Sequence, residues 1–475
     1  MNLHSLSFLF CFAVLWATLF ILQFLRKRLR SYGEVQLWLL LLFSIYFLYR
    51  FDWRFCVCML AVTAVAYLNG LLIGRTKSAL FLTIGVVVLL SFLAFFKYSE
   101  FIVNSIRQLS GMDSVSLHIL LPIGISFYVF SAVAYLIDVY KNEYDAELNI
   151  LYFALYISFF PKLIAGPIVR GKDFFPQVRN YGGVHWDAFK VGIQIFVFGL
   201  FKKLVLSDHL GVFVDDVFRV PSAFNTGTVI LAAFSYSLQI YFDFSGYSDM
   251  AIGLSKILGF DFKPNFNLPY LSRNVSEFWS RWHISLSSWF RDYLFIPLGG
   301  SRRGAIRTYI NLMIVMIVSG VWHGAGWTFI LWGVLHGFAS CINKMVSNKP
   351  NVLGSAFSRV ITFFTVTMFW VVFRADSFSN AVEVWRGFFT IHDGINQPYT
   401  WSFFSLACLA FCSLMCLIKA KKSNHRSRDG MLQVDGFYPI LDLSHFWQLV
   451  AFLTFCGLTV IMGYYGNTSF IYGVF

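Results

Sequence analysis

The sequence predicts an all-α, polytopic membrane protein, and three observations carry that prediction. Of 475 residues, 58% are hydrophobic and 20% aromatic, while only 13% are charged. Mean hydropathy is +0.66, whereas soluble domains are roughly half apolar and about a quarter charged. Apolar runs of about the 20 residues needed to cross a bilayer recur along the whole chain. These runs are continuous rather than alternating, which excludes barrel strands, and in hydrocarbon only a helix or a closed barrel satisfies its own backbone.

The runs are 6–25, 34–50, 55–73, 78–97, 116–138, 148–168, 186–206, 226–258, 307–321, 326–345, 358–374, 400–419 and 445–465. Roughly 10 to 12 full spans are expected, with the remaining segments re-entrant. The first run is long for a signal peptide, has no charge ahead of it and lacks a small-residue cleavage site before Arg26, Lys27, Arg28 and Arg30. It should therefore stay as a span. Holding those basic residues in the cytoplasm puts the N-terminus outside, and Arg75 and Lys77 agree two spans later. The basic run 418–428 before the last span puts the C-terminus outside too, so the number of crossings should be even.

The net charge of +13 is assigned to these span-flanking loops and to anionic membrane lipid; with no soluble basic domain, nucleic acid is excluded as a partner. The eight cysteines include no CxxC pair, and Cys408, Cys412 and Cys416 fall at helical i, i+4, i+8 spacing, a packing stripe rather than a metal site. No disulfide framework is implied. Without a linker or a long soluble stretch, residues 1–475 read as a single membrane domain. The absence of an internal repeat counts against an inverted-repeat transporter.

One run is visibly broken. In YISFFPKLIAGPIVR, Tyr156 to Arg170, Pro161, Gly166 and Pro167 interrupt the helix, so the segment should unwind or re-enter where protein buries it. Lys162 and Arg170 would then either hold an anionic carrier or snorkel to the interface.

Polar chemistry concentrates in residues 236–338. In SEFWSRWHISLSSWFRDYLFIPLGG, Ser276 to Gly300, a helix would align Phe278, Trp282, Leu286, Trp289 and Tyr293 as one apolar stripe. Glu277, Arg281, Ser285 and Ser288 take another side, and His283, Ser287 and Arg291 follow at i+4. Asn274, Ser276 and Glu277 would cap its start; Pro297, Gly299 and Gly300 would end it. This amphipathic helix should lie in the interface or line a polar cavity. Glu277 and Arg281 sit at the favourable i, i+4 spacing for a salt bridge, and His283 reads either as a packing residue or as a substrate contact.

His323 lies in SGVWHGAGW after Trp322, where Gly320, Gly324 and Gly326 leave room for a substrate or another helix. An ionisable residue at membrane depth is a functional candidate, and a neutral imidazole there can take a proton from a hydroxyl. His336 reads as a packing residue. In YFDFSGYSDM, Asp243 and Tyr247 share a face and Asp249 points elsewhere. Both carboxylates need cations, with Arg281, Arg291 or a lysine available. Asp442 and His445 imitate part of an esterase triad, but no GxSxG or GDS block accompanies them.

The three stretches YFDFSGYSDMAIGL, SEFWSRWHISLSSWFRDYLFIPLGG and WHGAGWTFILWGVLHG, in that order, closely resemble the membrane-bound O-acyltransferase family. Within it, the chain resembles the branch of bacterial alginate O-acetylation membrane proteins. The likeness is strongest over about residues 120–340, and the C-terminal YGVF departs from that branch's pattern. The resemblance implies a ring of spanning helices around a thinner, funnel-like core, with His323 at the catalytic position and His283 at the second active-site position. Arg281, Ser287, Arg291, Trp322, Asp243 and Tyr247 are the candidate substrate-binding residues around them.

It further implies acetyl transfer in a bacterial inner membrane from an acyl thioester, with acetyl-CoA as donor, no bound cofactor and no metal. An extracytoplasmic esterase-like acetyltransferase would finish delivery to a polysaccharide acceptor such as alginate. Transfer of D-alanine to a cell-envelope polymer is the alternative within the enzyme class. Outside it, a polysaccharide or lipid transporter and a non-catalytic scaffold remain.

Overall fold

The computed structural model describes residues 3–24, 32–346, 355–423, 440–466 and 471. The basic cluster at Arg26–Arg30, much of the 418–428 run and the terminal FIYGVF apart from Ile471 lie outside those residues. Helices come in the order α1 (Leu6–Phe24), α2 (Tyr32–Tyr49), α3 (Trp53–Thr76), α4 (Ala79–Leu109), α5 (Ile125–Tyr140), α6 (Ile150–Ser158), α7 (Phe160–Leu163), α8 (Gly171–Arg179), α9 (Trp186–Phe201) and α10 (Asp208–Arg219). Then follow α11 (Thr226–Ile257), α12 (Val275–Arg281), α13 (Ile284–Phe290), α14 (Ala305–His323), α15 (Trp327–Val346), α16 (Ser355–Arg374), α17 (Phe378–Phe389), α18 (Thr400–Ser423) and α19 (Phe446–Met462).

Among the described residues the only β pairing is an isolated bridge between Phe224 and Ile395. Among the described residues, six helices are long and apolar enough to cross a membrane, and four shorter apolar helices accompany them. The all-α membrane class read from the apolar runs is what the chain adopts.

Element ends follow local chemistry. Asp52, Ser78, Asn149, Asn274 and Ser377 each sit just before a helix and accept a first-turn amide hydrogen. The run expected over 116–138 yields a helix only from Ile125. Pro122 lies ahead of it, and Gly124 turns the chain at a left-handed φ of 73°. A side chain at Gly124 would come within 2.1 Å of the Leu163 carbonyl, so no other residue fits this approach. Residues 375–399, between the apolar runs 358–374 and 400–419, contain α17, an amphipathic helix too short at 12 residues to register as a span.

The chain divides into two compact units, Met1–Phe196 with Met250–Phe262, and Val197–Asp249 with Lys263–Phe475. In the first, the proline and glycine break is real: α6 stops at Ser158, α7 is a single turn, and the chain then turns over 164–166 and continues without helix to Arg170. Lys162 does not snorkel. It is 4% exposed, with Nζ 4.1 Å from the centre of the Tyr156 ring and no hydrogen-bond partner among the described residues.

Burial of an ammonium costs several kcal/mol, whereas a cation–π contact returns about 2. Lys162→Met should therefore raise the thermal stability of the detergent-purified protein. A lower melting temperature would show that the ammonium has a stabilising anionic partner after all.

Candidate functional site

The second unit carries every candidate site residue. α14 and α15 form an antiparallel pair that packs backbone to backbone. A side chain at Gly320 would meet the Phe329 carbonyl at 2.2 Å, and one at Gly333 the Met316 carbonyl at 2.4 Å. At Gly324 it would collide with the Phe329 ring. The glycines flanking His323 thus admit a neighbouring helix, one of the two uses their pattern allows.

α14 ends on His323, which is 2% exposed. Three rings wall its imidazole: Trp322 at 5.0 Å, Trp332 at 5.0 Å and Phe373 at 5.5 Å between centroids, all steeply inclined to it. Trp332 also faces His336 at 4.7 Å, and His336 Nδ1 accepts a hydrogen bond from Trp279 Nε1 at 3.2 Å. That bond puts the His336 proton on Nε2.

His283 reaches the same place from a different segment. The 276–293 stretch does not form one helix; α12 ends at Arg281, α13 begins at Ile284, and five residues from Arg291 wind as a wider π-type turn. Four of the five stripe residues are nonetheless buried where the periodicity put them, Phe278, Trp282, Leu286 and Trp289, while Tyr293 is half-buried. His283 occupies the break in left-handed backbone, φ 43° and ψ 55°, and is fully buried. Its ring meets Phe244 of α11 edge-on at 4.5 Å and lies 5.9 Å from Trp322. Burial pushes the His283 imidazole down to about 3, so this ring works as a neutral donor and acceptor at ordinary pH. Trp322 therefore stands beside both histidines, which are 40 positions apart in the chain.

The remaining candidates hold other partners. Arg281 donates to Glu277 Oε1 from Nε at 3.2 Å and from a terminal nitrogen at 2.9 Å; its other terminal nitrogen donates to the Asn267 carbonyl at 3.2 Å. Burial pushes the Glu277 carboxyl up, but the Arg273 amide and the Arg281 guanidinium outweigh it and hold the group below its usual value. Ser287 donates back to the Trp282 carbonyl at 3.1 Å. Arg291 points outward, its side chain 64% exposed and paired with Asp292. The pair Asp442 and His445 is also exposed, at 3.0 Å.

Asp243 is 1% exposed and Tyr247 is buried one turn further on. Asp243 accepts from Lys203 Nζ at 2.6 Å and, through its other oxygen, from the Ile471 amide at 2.8 Å. Lys203 also pairs with Asp208 at 2.8 Å, and Lys202 pairs with Asp249 at 2.6 Å. A widened π-type turn over 202–207 presents these adjacent lysines to separate carboxylates of α11. The cations that satisfy Asp243 and Asp249 are thus lysines, not Arg281 or Arg291. Sequence reading did not single out Lys202 and Lys203, although two adjacent lysines inside the apolar run 186–206 were the available signal.

Comparison with known proteins agrees with these motifs. Residues 76–373 match MBOAT, the membrane-bound O-acyltransferase family. The chain is 44% identical over 371 residues to a probable alginate O-acetylase of Pseudomonas aeruginosa, covering 75% of this chain and 71% of that protein. It is 34% identical over 427 residues to a peptidoglycan O-acetyltransferase of Helicobacter pylori, covering 80% and 81%. Likeness to a teichoic acid D-alanyltransferase of Bacillus subtilis is thinner, 29% over 234 residues, covering 46% and 58%. This multi-pass membrane protein belongs to the membrane-bound O-acyltransferase family.

Proposed function

We propose that this O-acyltransferase moves an acetyl group from acetyl-CoA on the cytoplasmic side toward an exported polysaccharide of the alginate kind. It would sit in a bacterial inner membrane with both termini outside, and an extracytoplasmic esterase-like transferase would complete delivery. The observation that supports an acyl-transfer site is the pair of buried histidines, from separate segments, whose rings lie 5.9 and 5.0 Å from Trp322.

In this reading the unprotonated nitrogen of His323 takes the proton of the acceptor hydroxyl as its oxygen bonds to the acetyl carbon. The carbon–sulfur bond then breaks, and the imidazolium returns the proton to the departing thiolate. His283, neutral by burial, is suited to donate to the carbonyl oxygen as it becomes negative. Trp322 lies beside both rings. Arg281 and Ser287 serve by holding the segment that carries His283, and Asp243 by fastening α11, whose Phe244 abuts that ring, to Lys203. Tyr247 and Arg291 are the candidates for contact with the parts of the substrates that do not react.

D-alanyl transfer is the weaker alternative, because its relatives match under half of this chain. Membranes carrying the full chain and its co-expressed partner transferase would be given acetyl-labelled acetyl-CoA or, separately, labelled D-alanine on its carrier. Alkali-labile label on the polymer from the acetyl donor alone is the expected result. Label from D-alanine alone would overturn the reading.

A further inference from the structure

The break that exposes His283 to Trp322 is made by residues 265–267, which run alongside it. In an unbroken helix the amides of Ile284 and Ser285 would bond the carbonyls of Ser280 and Arg281. Here Ile284 donates instead to the Asn265 carbonyl at 2.9 Å, and Ser285 to Asn265 Oδ1 at 3.0 Å. The Arg281 carbonyl is taken by the Asn267 amide at 2.9 Å. Asn265 Nδ2 donates in turn to Ser248 Oγ at 3.2 Å. Ser248 belongs to α11, one turn beyond the Phe244 ring that abuts His283.

Asn265 is 2% exposed and Ser248 is fully buried. One planar amide thus ties the wall of the site to the backbone two residues beyond the histidine. Left-handed backbone is unfavourable for histidine and persists only where the surroundings enforce it. An asparagine suits the task because it offers an acceptor to Ser285 and a donor to Ser248 at once.

We infer that Asn265 is a positioning residue that sets His283 against the Trp322–His323 pair and acts in acyl transfer only through His283. The inference rests on the acyl-transfer reading of the two histidines.

The test is a double-mutant cycle on the full chain with its partner transferase, reading acetyl transfer from labelled acetyl-CoA at matched amounts of monodisperse protein. Asn265→Leu is expected to lower turnover roughly 10- to 100-fold, the scale of a misplaced catalytic group. Combined with His283→Ala, it should lose no more than His283→Ala alone. Asn265→Asp keeps the acceptor for Ser285 and lets the Ser248 hydroxyl reverse its bond, so it should recover much of the rate. A purely structural residue would instead lower activity by the same factor in both backgrounds.

That additive result, a fully active Asn265→Leu, or an Asn265→Asp no better than the leucine would each overturn the inference. Should Asn265→Leu fail to fold, Ser248→Ala removes only the amide's acceptor and is read in the same cycle; additivity there is equally fatal. A fully active His283→Ala would sink the role of His283 and this inference together. Absence of acetyl transfer by the unsubstituted protein would sink the acyl-transfer reading itself.

Discussion

His323→Ala is expected to abolish acetyl transfer, by about a thousandfold or more, while the protein accumulates in membranes at its normal level. Positioned acid–base groups contribute roughly 10²- to 10⁴-fold, and Trp322, Trp332 and Phe373 enclose the His323 ring. Trp322, Trp332 and Phe373 surround the ring, so truncation opens a gap among aromatic side chains. The gap costs stability, which is why His323→Gln should be measured beside the alanine: it fills the space and cannot exchange a proton. Both variants should show labelled acetyl-CoA consumed at background rate. Equal labelling of polymer by wild type and both variants would remove His323 from the chemistry and leave this chain as a scaffold for its partner.

The sequence disclosed some of this for reasons that can be stated residue by residue. The spans were legible because hydrocarbon tolerates only continuous apolar helix, and the break at Pro161–Pro167 because proline and glycine deny helix locally. Glu277 and Arg281 pair as their i, i+4 spacing requires. The break at His283 was not legible. Phe278, Trp282, Leu286 and Trp289 are spaced as in one uninterrupted helix, and they are buried as such a helix would bury them.

The helix is interrupted because Asn265 and Asn267 take over its hydrogen-bond ladder from outside. No feature of 276–293 itself records that competition. The rings that enclose His323 are hidden for the same reason: Trp332 and Phe373 come from α15 and α16, and only their packing brings them to one imidazole.

The ion network around Lys203 yields the other large expected effect. Lys203, Asp208 and Asp243 have side chains only 2%, 4% and 1% exposed, so little water screens them. Lys203→Met removes the shared cation and leaves two buried carboxylates facing each other. Breaking a buried pair by deleting one partner costs about 3–5 kcal/mol, and the detergent-purified variant should melt far below the wild type or fail to accumulate.

The cost lies in the stranded charge more than in the lost attraction, and this can be separated. Adding Asp208→Asn and Asp243→Asn to Lys203→Met removes the uncompensated charges, and the amides can still accept from the Ile471 amide that now bonds Asp243. Most of the stability should return. If the triple variant stays as unstable as Lys203→Met, packing of the lysine stem rather than its charge holds this part of the second unit together. If Lys203→Met alone is as stable as wild type, the carboxylates share a proton and the network carries less charge than its three side chains suggest.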